Sequence, residues 1–89
     1  AVISFSPGEY FGKKDFISSS ASKIRIPSFI TSAASEKNSW WNIYETVNSD
    51  QKVYFLPETK GNHGSRALWG KFADSKDYWN AVKKFLKEI

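Results

Sequence analysis

Apolar residues fall into two kinds of run along this chain. Short runs of strand length occur three times: Ala1-Val2-Ile3-Ser4-Phe5, the segment 24–31, and Val53-Tyr54-Phe55-Leu56. Ser6-Pro7-Gly8 closes the first, the small residues 32–35 the second and Pro57 the third. The third run, unbroken by polar residues, predicts a short buried strand. Pro27 falls near the start of the second, where a missing N–H is tolerated. Elsewhere the apolar spacing is helical. Trp40, Ile43, Tyr44 and Val47 stand at i, i+3, i+4 and i+7, with Asn38 or Ser39 placed to cap them and Asn48-Ser49-Asp50 ending them. Tyr78, Val82, Phe85, Leu86 and Ile89 form a second stripe, with Asp74 as its cap and Asp77 in its first turn. Residues 13–22 predict a short helix, after a loop at 9–12 whose Tyr10 and Phe11 are available for packing. Residues 65–70 predict a helical turn carrying Leu68 and Trp69.

Strands therefore alternate with helices, and each connection is long enough for a crossover. That pattern specifies an α/β fold: a parallel sheet of about three strands flanked by helices in three layers. The 89 residues make one domain, or part of one. Three parallel strands are few, because parallel sheets need both faces covered and their edges protected. The chain also opens without Met, inside an apolar run, which reads as a cut within a larger domain. Self-association or domain swapping through the first strand is the corresponding expectation.

Composition narrows the function classes. The net charge of +4 comes from lysines interleaved with acids. Only Lys83, Lys84 and Lys87 cluster, at the end of a helix, where the dipole favours positive charge. With no basic stripe or groove, neither duplex nor single-strand nucleic-acid binding is expected. The absence of cysteine excludes disulfides, thiolate chemistry and the usual zinc sets, and leaves the compartment open. No apolar run approaches the length of a membrane span. Four Trp, four Tyr and seven Phe are many for this length; they must fill a core or cover an interface.

Two residues carry the candidate chemistry. Gly61, Asn62 and Gly64 allow the backbone angles of a sharp turn, which presents His63 just past the carboxyl end of the third strand. His63 is the only histidine. Glu36 follows the carboxyl end of the second strand in the same way. In an open α/β sheet, ligands sit at that rim. Neighbouring parallel strands would bring the two loops together, and a carboxylate beside an imidazole fixes its tautomer and makes it a competent base. Read from the residues alone, His63 is equally a surface turn residue, and Glu36 a solvated acid near a helix start.

The segment Ile-Pro-Ser-Phe-Ile-Thr-Ser-Ala-Ala-Ser-Glu at 26–36, followed by a helix, resembles the penultimate strand and acid loop of the α/β-hydrolase fold. Lys52-Val53-Tyr54-Phe55-Leu56 with Gly61-Asn62-His63-Gly64 resembles its last strand and histidine loop. Residues 75–89 resemble its closing amphipathic helix. Residues 2–5 would be the strand after the nucleophile unit. The nearest branches are the dienelactone-hydrolase-like and esterase-like ones. The resemblance implies a serine hydrolase acting on an ester or related acyl bond. His63 would be the base and Glu36 its orienting acid, where Asp is commoner in the family. No cofactor or metal is implied. Family order is Ser, acid, His, and this chain holds the last two without a Gly-x-Ser-x-Gly elbow. Ser6 follows a strand, but Pro7 beside it lacks the N–H that the oxyanion hole would use. Ser65 is better placed to cap the turn that follows it. The nucleophile is thus expected upstream of Ala1, and the isolated segment is expected to be inactive. The alternative is a small non-enzymatic α/β binding module, complete as it stands, using an aromatic surface. It predicts exposed Trp40, Trp41 and Trp69.

Overall fold

The computed structural model describes residues 1–8 and 16–89, leaving aside the side chain of Phe16. The loop at 9–12 with Tyr10 and Phe11, and the first part of the helix expected at 13–22, lie outside the described residues. The described part of that helix is α1 (Phe16–Ala21). Three strands, β1 (Val2–Phe5), β2 (Ser28–Thr31) and β3 (Lys52–Phe55), form a parallel sheet in the order β1-β2-β3. Helix α2 (Lys37–Thr46) joins β2 to β3, and α3 (Ser75–Glu88) follows β3. Two short 3₁₀ segments, Ala34–Glu36 and Gly64–Leu68, lie in the loops after β2 and β3.

The register aligns Phe29 with Ile3 and Val53, and Ile30 with Ser4 and Tyr54. Strand alternation sends these two rows to opposite faces. Ile30 packs with Ala21, Trp40, Ile43 and Val47 under α1 and α2. Phe29 packs with Val82 and Phe85 of α3, its ring 5.5 Å from that of Phe85. The result is three layers, helices on both faces of a central sheet. All four residues of β2 are buried, as expected for the middle strand.

Several boundaries differ from the sequence pattern, each for a physical reason. The second strand begins at Ser28, not at residue 24. Pro27 has no N–H to give the ladder, so the first donor is the Ser28 N–H, bonded to the Gln51 carbonyl at 2.9 Å. Ile24 belongs instead to the turn that ends α1, its N–H bonded to the Ala21 carbonyl. The third strand is not buried: Val53 is 38% and Tyr54 40% exposed, because the strand order puts β3 at an edge. Neither Asn38 nor Ser39 caps α2. The helix runs on directly from the preceding 3₁₀ turn, with Glu36 in the capping position. At α3, Asp74 occupies the capping position, but its carboxylate receives the Thr59 hydroxyl at 2.7 Å rather than a helix N–H. Ser65 lies inside its turn, and His63 precedes it in the capping position. Of the α3 stripe, Tyr78, Val82 and Phe85 are buried while Leu86 and Ile89 are exposed. A sheet of three strands offers too narrow an apolar strip to cover all five.

The lysines do local work. Lys52 Nζ bonds the carbonyls of Tyr44 and Glu45 at 3.1 and 3.3 Å, satisfying the open end of α2. Lys37 lies 4.6 Å above the Trp41 ring. No helix among the described residues is long and apolar enough to cross a membrane.

Candidate functional site

The carboxyl ends of the three strands open into three loops on one rim of the sheet. After β1, the Ser6 N–H extends the ladder to the Thr31 carbonyl at 2.8 Å, and the backbone then turns through φ 54°. After β2, residues 32–36 form a tight turn. The Trp40 indole donates to Ser32 Oγ at 2.7 Å, and that hydroxyl donates to the Ala33 carbonyl at 2.8 Å, so α2 holds the turn from behind. After β3, the Lys60 carbonyl accepts the Ala34 N–H at 2.9 Å, tying the acid loop to the histidine loop. Tyr78 of α3 braces both loops: its hydroxyl donates to the Ser32 carbonyl at 2.8 Å and accepts the Asn62 N–H at 3.4 Å. Burial, opposed by the Asn62 bond, raises the Tyr78 phenol above its ordinary value and keeps it a donor.

Gly61 makes this bracing possible. It has φ +71°, and a Cβ there would lie 2.2 Å from the Tyr78 hydroxyl and 3.2 Å from the Ala33 Cα. Only glycine meets both conditions.

The frame brings Glu36 and His63 together. His63 Nδ1 and Glu36 Oε2 are hydrogen-bonded to each other. Oε1 of the same carboxylate accepts two further bonds, from the Ala33 N–H at 2.9 Å and from the Ser6 hydroxyl at 2.9 Å. Burial works to raise the Glu36 pKa. The bonds from His63, Ala33 and Ser6, with the histidine's charge, outweigh it and hold the carboxyl below its ordinary value. With an ionised acceptor at Nδ1, the neutral ring carries its proton on that nitrogen and presents Nε2 as the base. No partner for Nε2 occurs among the described residues. The His63 side chain is 57% exposed and that of Glu36 23%, so the ring is open to solvent and the carboxylate is the more covered of the two.

Two residues of this site escape a reading by sequence pattern. Tyr78 belongs to an apolar stripe and reads there as core packing; the signal that could have found it is that a buried phenol needs a partner for its hydroxyl. Ser6 invites attention only as a nucleophile; here its hydroxyl joins the other two loops, accepting the Gly64 N–H at 2.8 Å. Ser65 takes no part in the contacts around the pair. Among the described residues no group of three His, Asp or Glu side chains could hold a metal ion.

The aromatics divide. Trp40 is fully buried, Trp41 is half-buried and Trp69 is exposed. Trp40, Trp41, Tyr44 and Tyr54 interlock beside β3, with ring centroids 5.2 to 6.2 Å apart. No family model, curated protein or solved structure matches the chain.

Proposed function

We propose that this chain is the acid- and base-bearing part of a serine hydrolase of the α/β-hydrolase type, cleaving an ester or related acyl bond. The contact between Glu36 and His63 at the carboxyl rim of a parallel sheet carries this reading. The order of acid and base along the chain fits the family, as does their placement after adjacent strands. His63 would accept the nucleophile's proton at Nε2 and return it to the leaving group. Glu36 would hold the ring in the productive tautomer and stabilise the imidazolium. The nucleophilic serine and the oxyanion donors would come from a segment that pairs with β1, upstream of Ala1. The Gly64 N–H is not available as an oxyanion donor, since it bonds to Ser6.

The binding-module reading finds support in the exposed Trp69, which stacks on Phe72 at a centroid distance of 6.3 Å. Buried Trp40 counts against it.

The test is p-nitrophenyl ester hydrolysis. The 89-residue chain alone is expected to show no turnover above that of His63→Ala. Joined to a nucleophile-bearing segment, it is expected to turn over, and His63→Ala should lower kcat about a thousandfold or more. Turnover by the isolated chain that His63→Ala abolishes, or turnover by the joined protein indifferent to that substitution, overturns the proposal.

A further inference from the structure

Ser6 has features that a linking residue does not need. It is 4% exposed and holds φ 54°, a conformation costly for a residue other than glycine. Such strain persists only where surrounding contacts over-determine it. Here the contacts are specific. The Gly64 N–H donates to Ser6 Oγ at 2.8 Å, and the Ser6 hydroxyl donates to Glu36 Oε1 at 2.9 Å. Serine suits this place because its hydroxyl both donates and accepts, and it is small enough for a buried rim. The hydroxyl thereby connects residues 58 and 30 positions away, one in each of the other two loops.

We propose that Ser6 is a positioning residue, which clamps the acid loop to the histidine loop and holds the Glu36 carboxylate in the rotation that keeps His63 Nδ1 engaged. It is not the nucleophile. Its proton is given to the carboxylate and not to the imidazole, it is buried, and Pro7 supplies no N–H behind it. The clamp acts on the base through Glu36 and never touches the substrate. Without the hydroxyl, Oε1 keeps, among the described residues, only the Ala33 N–H, and the part-buried Gly64 N–H loses this acceptor. The carboxylate is then less constrained, and the loop carrying His63 loses one of its ties.

This inference rests on reading Glu36 and His63 as a catalytic pair, yet it is tested without activity. His63 is the only histidine, so its ring nitrogens give unambiguous ¹⁵N signals. In the neutral ring of the 89-residue protein, the Nδ1–H tautomer should dominate. Glu36→Ala should return it to the Nε2–H form that a solvent-exposed histidine side chain prefers. Ser6→Gly is the decisive variant, because glycine accepts the positive φ while the hydroxyl is lost together with its Cβ, and Ser6→Ala removes the hydroxyl alone. It should shift the tautomer ratio toward that of Glu36→Ala. It should also speed Gly64 amide exchange about tenfold, the equivalent of one hydrogen bond's net contribution. Ser6→Ala should do the same, and if it fails to fold the glycine variant still decides. An unchanged tautomer ratio, or an unchanged Gly64 exchange rate, in folded Ser6→Gly overturns the proposal. In the joined protein, Ser6→Gly should lower kcat with KM unaltered. Ester cleavage indifferent to His63→Ala would remove the catalytic reading and leave the tautomer result standing by itself.

Discussion

At the scale of single residues, the charge on Glu36 is where chemistry and stability meet. Its carboxyl is held below the ordinary 4.5: burial alone would raise it, but the bonds from His63, Ala33 and Ser6 prevail. A carboxyl with a depressed folded-state pKa binds its proton less readily in the folded chain than in the unfolded one. Its contribution to stability is therefore complete above the unfolded value and is lost as pH falls through the lower folded value. We expect the melting temperature of the wild-type chain to exceed that of Glu36→Gln above pH 4.5. Below that pH the margin should shrink, since protonation makes the two side chains alike in charge. Thermal melts of both proteins across the acid range check this, and a margin that holds to the lowest pH refutes it. Glu36 and His63 were legible in the sequence because each is a polar residue just past an apolar strand. The hydroxyl bond from Ser6 was not. Nothing local to Ser6-Pro7-Gly8 says that its side chain meets residues 36 and 64.

At the scale of elements, the histidine loop depends on two glycines with the same φ of +71° and different surroundings. A Cβ at Gly64 meets nothing within 4 Å, whereas one at Gly61 drives into the Tyr78 hydroxyl and the Pro57 ring. Gly64→Ala should therefore cost only the left-handed backbone penalty, about 1–2 kcal/mol. Gly61→Ala adds overpacking against α3 and the acid loop, and should cost about 3 kcal/mol or more. Urea denaturation of the two variants measures the difference. Equal losses would mean that Tyr78 yields easily and does not brace the loops. The sequence pattern carried the existence and type of the strands and long helices, because short apolar runs closed by turn residues and period-3.6 spacing are strong local signals. It misplaced the cap of α2 and the start of β2. Those depend on where the turn after β2 runs straight into α2, and on which N–H first finds a carbonyl across the sheet, here Ser28 to Gln51. Burial of β3 was misread for a related reason: an apolar run does not reveal whether its strand is central or at an edge.

At the scale of the whole molecule, β1 is an edge of the sheet among the described residues. Ile3, on the sheet face that carries α3, is 37% exposed. On the other face, Val2 and Ser4 line an apolar groove of about 390 Å³ shared with Ile17, Ala21, Ile24 and Val47. An unpaired apolar edge beside an apolar groove is a template for another strand. In the proposed hydrolase that strand belongs to the nucleophile-bearing segment. Where only these 89 residues are present, a second copy is the available partner, and we expect the chain to self-associate through β1. Light scattering should show an average mass that rises with concentration. Ile3→Lys places a charge on the edge without entering either core cluster, and should return the mass toward that of a monomer while leaving the helical circular-dichroism signal intact. The second edge supplies the control. Tyr54 of β3 is engaged with Trp40, Trp41 and Tyr44, so a charge at neighbouring Val53 should leave the association unchanged. A wild-type chain that stays monomeric at every concentration, or an association relieved by Val53→Lys and not by Ile3→Lys, would move the open seam of this fold away from β1. The predicted docking place of the nucleophile-bearing segment would move with it.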